Sequence, residues 1–119
     1  DTPIDYETCQ TLEFMKVNPR FLRPNHARNI EATASFRALA AEMGHRTSSL
    51  AIAWLLHQGE HILPIPGTRS IEHLNELTAG ADIALTESDL AAIEEILPIG
   101  WCHGDRYAVG QWVGPEKYC

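Results

Sequence analysis

The stretch PIPGTRSIEHLNEL, residues 64–77, holds the residue types best suited to chemistry in this chain. An aliphatic, proline-punctuated run breaks at Gly67-Thr68-Arg69-Ser70 and resumes with the spacing of a helix. Gly67 has no Cβ, so a ligand can approach the backbone closely. Thr68 and Ser70 offer hydroxyls, Arg69 offers a forked cation, and a helix starting at Ser70-Ile71 offers unpaired N–H groups at the positive end of its dipole. A guanidinium donates in a geometry that matches phosphate oxygens. The set therefore makes a phosphate-sized anion site. The competing reading is an ordinary loop and helix cap with Arg69 in solvent, because short motifs of this kind recur without function. The local residues alone leave both readings open.

The elements that must position this stretch are mostly helical. Residues 1–24 read as irregular or weakly helical, punctuated by Pro19 and Pro24. Over residues 25–43, Phe36, Leu39, Ala40 and Met43 fall at the i, i+3, i+4, i+7 spacing of one helix face. Asn25 suits its N-cap and Gly44 the position just past its end. A second helix, TSSLAIAWLLHQG, starts at Thr47 as N-cap and stops at Gly59. It is apolar almost all round, which predicts deep burial against something large.

HILPIPGT, residues 61–68, is short and aliphatic without alternation, as in a parallel strand covered on both faces. Pro64 and Pro66 count against a central antiparallel strand, since each removes a ladder donor. Ser70 should cap a helix over about residues 71–79 that Gly80 ends. In LTESDL, Thr86 and Asp89 approximate a capping box and Leu85 and Leu90 stand at staple positions. That helix should run to about Leu97, with Pro98 ending it. The glycine- and aromatic-rich tail from residue 98 reads as a surface loop. One parallel-type strand has no ladder partner, so its backbone groups would be orphaned if buried. The strand thus reads as a piece of a larger sheet.

Composition narrows the function classes. The chain has 119 residues, 45% hydrophobic and 21% charged, the balance of an ordinary globular domain rather than a disordered one. A formal charge of −7 argues against a nucleic-acid or anionic-membrane surface. No apolar run approaches the roughly 20 residues that span a bilayer. The first residues lack the basic and apolar regions of a secretory leader. Cys9, Cys102 and Cys119 are an odd number without tight spacing, which fits reduced thiols in a cytoplasmic protein.

Taken in order, AxAWLL, IPGT, ExLxE and LTxxDLxxI make the stretch LAIAWLLHQGEHILPIPGTRSIEHLNEL and the following ADIALTESDLAAIEEILP closely resemble the C-terminal end of the aldo-keto reductases. Upstream, NPRF and ARNIEATASFRALAAEMG resemble the family's stretch after the seventh barrel strand, and HGDRY resembles its C-terminal loop. The resemblance covers roughly residues 17–119 and implies an α/β class, the C-terminal portion of a (β/α)8 barrel. On that match, residues 1–24 follow the seventh strand, residues 25–97 carry the last helices and the eighth strand, and residues 98–119 form the tail loop. As an isolated chain it is expected to be mostly α-helical with one short strand. The implied cofactor is NADPH and the implied substrates are small-molecule carbonyl compounds. Gly67, Thr68 and Arg69 would flank the cofactor's 2′-phosphate. His73 falls where many members carry an arginine for the same phosphate, and a histidine there makes any charge depend on pH. Glu76 falls where a glutamate meets the adenine end. Leu77 replaces the usual asparagine, which removes an amide contact to adenine. This agrees with barrel logic, in which phosphates sit near the loops after strands 7 and 8.

The family's acid is a tyrosine tuned by a lysine and an aspartate, with a histidine orienting the carbonyl, all from the first half of the barrel. Here the tyrosines are Tyr6, Tyr107 and Tyr118 and the lysines Lys16 and Lys117, none in a segment matching those motifs. A general acid must be held rigidly beside its tuning cation, and no residue qualifies as catalytic. A whole barrel typically needs about 250 residues, so the chain alone is expected to be inactive.

Other constellations carry less. Cys102-His103 with His57, His61 or Cys119 lacks the close ligand pair usual for zinc. Adjacent Glu94 and Glu95 point in different directions on a helix and read as a solvated face rather than an acid/base pair. His57 suits a helix end, and Trp54 a core. Trp101, Tyr107 and Trp112 fit equally a substrate-pocket wall and a packed tail. A second function class is a non-catalytic helical domain that self-associates through apolar patches its helices leave uncovered. A DNA-binding helix-turn-helix over residues 25–59 conflicts with the charge.

Overall fold

A computed structural model describes residues 2–112, and its regular elements are all helical. In chain order these are α1 (Tyr6–Thr11), α2 (Asn25–Ala32), α3 (Ala34–Glu42), α4 (Thr47–His57), α5 (Ile71–Ala79) and α6 (Glu87–Ile96), with 3-10 turns at Met15–Val17, Pro19–Phe21, Gly80–Asp82 and Val109–Gln111. The chain forms two compact units. One is Ala34–Ile99; the other joins residues 2–33 to residues 100–112.

In the first unit the core comprises Phe36 and Ala40 of α3, Leu50 and Ala53 of α4, and Leu85 and Ile93 at α6, with Leu50 fully buried. Leu39, Met43, Trp54 and Leu90 pack around it. The three helix faces thus meet at the periodicity the sequence shows.

Local caps set the helix ends. Gly44, at φ +76°, closes α3: His45 N–H donates to the Ala40 carbonyl (2.8 Å) and Gly44 N–H to Ala41 (3.0 Å), the paired bonds of a Schellman motif. At α6, Asp89 N–H donates to Thr86 Oγ1 (3.2 Å) while Thr86 N–H donates to Asp89 Oδ2 (2.8 Å), a complete capping box. Bonds from Thr86, first its hydroxyl and then its N–H, hold the Asp89 carboxyl below its ordinary 3.8. A depressed folded-state value contributes stability above the unfolded value and loses it as pH falls through the folded one. The protection of the Thr86 amide, measured as its exchange rate relative to the intrinsic rate at each pH, should therefore fall on acidification below that range, and Asp89→Asn should largely remove this pH dependence; an unchanged pH dependence of protection in the variant would count against it.

Several expectations are corrected. The helix expected over residues 25–43 is split at Thr33: its N–H still closes on Asn29 O (3.1 Å), and its hydroxyl bonds back to Asn29 O (2.8 Å) and Ile30 O (3.2 Å), a local back-bonding that bends helices. Asn25 is not the N-cap of α2; Pro24 is. His26 N–H already bonds Leu22 O (2.9 Å), so Asn25 lies inside the turn, and its amide donates to Pro19 O (3.0 Å) instead. Arg46, not Thr47, is the N-cap of α4, with Leu50 N–H donating to its carbonyl (3.0 Å).

The short strand expected over residues 61–68 does not form. No strand occurs among the described residues, because none offers a second extended segment to complete a ladder. Leu63 and Ile65 are 86% and 94% exposed rather than buried, while Ile62 and Pro64 are half-buried, an alternation of period two. The deep all-round burial expected of α4 is likewise partial. Ser49, Leu50 and Ala53 are buried, but Leu55 and Leu56 are exposed.

α5 leads into a 3-10 turn at Gly80, and there the chain presses on α4. A Cβ at Gly80 would lie 2.6 Å from the Ser49 carbonyl oxygen and 2.7 Å from Ile52 Cβ. Neither is a flexible side-chain end. Gly80→Ala is therefore expected to destabilise by about 1–2 kcal/mol despite alanine's better helix propensity. A denaturation midpoint at or above wild type would contradict this packing.

In the second unit, Cys9 of α1 is fully buried, and the helix's N-cap Asp5 accepts from Thr8 N–H (2.8 Å). Asparagines hold the tail. Asn18, 2% exposed, donates to Arg106 O (2.7 Å), and Asn29 donates to His103 O (2.9 Å) and accepts from His103 N–H (2.8 Å). Gly104, at φ +93°, lies where a Cβ would meet Asn25 and Pro19 within 3 Å.

Candidate functional site

Ser70 is the N-cap of α5, as its sequence predicts, with an extended backbone and its Oγ accepting from His73 N–H (3.3 Å). Thr68 Oγ1 accepts from Ser70 N–H (3.1 Å), so the loop before the helix closes on itself. Leu74 N–H donates to Ser70 O (3.0 Å). The remaining first-turn donors, the N–H groups of Ile71 and Glu72, make no hydrogen bond among the described residues and are open to an incoming acceptor. Gly67, Thr68, Arg69 and His73 are all exposed around this helix start. A Cβ at Gly67 would meet nothing within 4 Å, so the approach there is open. The donor set suits an anion: two free N–H groups, a guanidinium, an imidazole and the helix dipole. Glu72 puts one opposing charge in the same turn.

Glu76, the fifth residue singled out by sequence, is differently placed. Its side chain is only 15% exposed and faces the start of α4. Arg46 Nε donates to Oε1 (2.9 Å), and a terminal guanidinium nitrogen stands 2.8 Å from the same oxygen as an ion pair. Ser48 Oγ donates to Oε2 (3.2 Å), and buried Ser49 donates from Oγ to the Glu76 carbonyl (2.6 Å). Sequence reasoning missed Arg46, Ser48 and Ser49. A hydroxyl run at a helix start signals capping, and nothing local reveals a partner about thirty residues away.

A separate cavity of about 320 Å³ lies between α4 and α6, lined by Trp54, His57, Gln58, Glu87, Leu90, Ala91 and Glu94. None of the residues around the start of α5 borders it. Glu94 lines it and adjacent Glu95 does not.

The structure brings Tyr6 together with a histidine and a cation, though not as an acid with its tuning group. Arg23 lies over the Tyr6 ring at 4.2 Å from its centroid, His26 meets it edge-on at 5.7 Å, and His26 Nε2 bonds the Ile4 carbonyl (3.0 Å). A cation over a ring face is packing and cation–π attraction, not stabilisation of a phenolate oxygen. Lys16 pairs with Glu13 (2.6 Å). Tyr107 meets Trp112 edge-on at 5.3 Å, with Arg106 over the Tyr107 ring at 5.4 Å. Burial raises the Cys102 thiol, partly offset by the Arg20 charge, so it is a poor nucleophile and a poor metal ligand near neutrality. Among the described residues no three of His, Cys, Asp and Glu group as metal ligands. Lys117, Tyr118 and Cys119 lie outside the described residues.

Comparison with known proteins places these features in a family context. The sequence model described as Aldo/keto reductase family matches residues 5–98. The chain is 36% identical over 104 residues to "Probable aldo-keto reductase 1" of Glycine max, covering 87% of this chain and 30% of that protein. The chain thus spans under a third of that relative's length. No solved structure gives a significant match.

Proposed function

The chain belongs to the aldo/keto reductase family, whose fold is a (β/α)8 barrel, and from that premise we propose that it provides the 2′-phosphate and adenine end of an NADPH site. The whole protein is proposed to reduce small aldehydes and ketones, NADPH supplying the hydride. The carrying observation is the capped start of α5, with two open N–H groups and exposed Arg69 and His73. A dianionic phosphate fits this donor set better than a neutral ribose hydroxyl, because the dipole and guanidinium reward charge. Gly67 and Thr68 shape the loop against the phosphate, Arg69 and His73 flank it, and Glu76 faces the adenine. The chain's own share is binding and orientation; the acid, its tuning groups and most of the substrate pocket are assigned to the part of the barrel that precedes it. The 119 residues alone are accordingly expected to lack reductase activity. Titration of the full-length protein with NADPH, NADH and 2′-phospho-AMP tests the reading. Preference for the two 2′-phosphorylated ligands is expected, and equal or absent binding of NADPH and NADH would overturn it.

A second reading applies to the isolated chain. Leu63, Ile65 and Ile71 are 86%, 94% and 80% exposed within one short stretch, with Leu74 half exposed. In a barrel this stretch would be covered; without one, it would drive self-association. Light scattering of the isolated chain is expected to show dimers or larger species, and a monodisperse monomer of 13.3 kDa would refute it. No described helix is long and apolar enough to cross a membrane. Free thiols at Cys9 and Cys102, together with the acidic charge, support a cytoplasmic protein that binds neither nucleic acid nor membrane.

A further inference from the structure

We propose that residues 63–67 form a one-sided pairing edge through which two copies of this chain join as an antiparallel strand pair and stop at the dimer. The inference rests on the self-association reading above and names its surface, its register and its limit.

Exposure alternates along this stretch: Leu63 and Ile65 are 86% and 94% exposed, whereas Ile62 and Pro64 are half-buried. A period of two belongs to extended chain, in which the N–H and C=O of one residue share an edge and those of the next face the opposite one. Leu63, Ile65 and Gly67 therefore put their backbone groups on one edge, and Ile62, Pro64 and Pro66 put theirs on the other. On the first edge, none of the three N–H groups makes a hydrogen bond among the described residues. On the second, two residues are prolines without an N–H, and Ile62 N–H already donates to Gly59 O (3.0 Å). One edge thus offers donors and acceptors in alternation, and the other offers no free donor.

An unpaired edge of this kind is a template for a strand of another chain. A second copy matches it with no further component. With Leu63 opposite Ile65 of the other copy, and Ile65 opposite its Leu63, the two residues of each pair exchange both N–H···O bonds. The two-fold axis then passes between the two Pro64 residues, whose missing N–H groups are not called on. The four exposed side chains meet on one face as cross-strand apolar pairs. Charge sets the direction. Glu60 and Arg69 flank the stretch, both exposed and neither with an ion-pair partner among the described residues. Antiparallel pairing brings Glu60 of each copy toward Arg69 of the other, while parallel pairing would set like charge against like. The pairing is isologous and both outer edges lack donors, so no third strand adds with a full ladder and association closes at two.

The test uses the 119-residue chain. Sedimentation and light scattering over a concentration series are expected to show a species of twice 13.3 kDa and none larger. The Leu63 and Ile65 amides should gain hydrogen-exchange protection as concentration rises and exchange near the intrinsic rate when dilute. Ile65→Pro removes two hydrogen bonds per dimer and should raise the dissociation constant about tenfold or more. Ile65→Val keeps the donor and the β-branched shape and should change it less than about threefold. Proline at this position should leave the monomer intact, because Ile65 N–H has no partner and its side chain is exposed. Ile71→Ser combined with Leu74→Ser, on α5, should leave dimerisation within about threefold. Association that the α5 double variant abolishes and Ile65→Pro does not, or growth beyond the dimer, would overturn the proposal while leaving self-association in place. Protection of the two amides that does not depend on concentration would overturn it too, by showing the edge covered within its own chain. A monomer at every concentration would remove the self-association reading, and the proposal with it.

Discussion

Leu50→Ala should lower stability by about 3 kcal/mol, the largest single effect expected in the Ala34–Ile99 unit. Leu50 is 0% exposed, and the side chains beside it come from three helices: Phe36 and Ala40 on α3, Ala53 on its own helix, and Leu85 and Ile93 at α6. The cost has two parts, the lost transfer free energy of the deleted methyls and a cavity term that depends on how far the surroundings can close. Here closure is hindered. Two of the neighbours are alanines that cannot reach inward, and two of the helices around the site, α3 and α6, are pinned by the Schellman motif at Gly44 and the capping box at Thr86. Thr86→Ala offers an internal scale, because loss of a cap typically costs about 1 kcal/mol. Urea midpoints at unchanged slope should therefore rank wild type, Thr86→Ala and Leu50→Ala in descending order. A Leu50→Ala midpoint at or above that of Thr86→Ala would show that the core is centred elsewhere.

That ranking follows from features that differ in how openly the sequence declares them. Ser70, Gly44 and the Thr86–Asp89 pair were legible because each acts within a few residues, where side-chain type and backbone need coincide. The apolar spacing of Phe36, Leu39, Ala40 and Met43 likewise gave the core face of α3. The break at Thr33 was not legible, because a threonine hydroxyl can bond back to its own turn without ending a helix. The strand over residues 61–68 was inferred from composition, yet a strand is defined by its partner, and no described segment supplies one. At the candidate site the same division holds. The proposed anion-binding half lies within one loop and one helix start, where residue types alone suggest it. The half at Glu76 depends on Arg46, Ser48 and Ser49, an association that folding creates between α4 and α5.

Arg69→Ala in the full-length protein should weaken NADPH by about 1.5–3 kcal/mol and leave NADH nearly unaffected. The asymmetry is the informative part. Both cofactors share the adenine, the pyrophosphate and the nicotinamide, so damage to the fold or to the Glu76 region would weaken both. Only the 2′-phosphate distinguishes them, and only groups at the start of α5 would meet it. Arg69 is exposed and the loop around it closes through Thr68 and Ser70, so its removal should not disturb the Ser70 cap. Exposure also bounds the magnitude, because a guanidinium in water keeps its hydration until the phosphate arrives and its attraction is screened by salt. The loss should accordingly sit near the lower end of the range at high ionic strength and grow as salt is reduced. The open N–H groups of Ile71 and Glu72 do not depend on Arg69, so residual preference for the phosphorylated cofactor should survive in the variant. Parallel titrations at two salt concentrations check each part. Equal losses for NADPH and NADH, or a selectivity unchanged by the substitution, would remove Arg69 from the phosphate site.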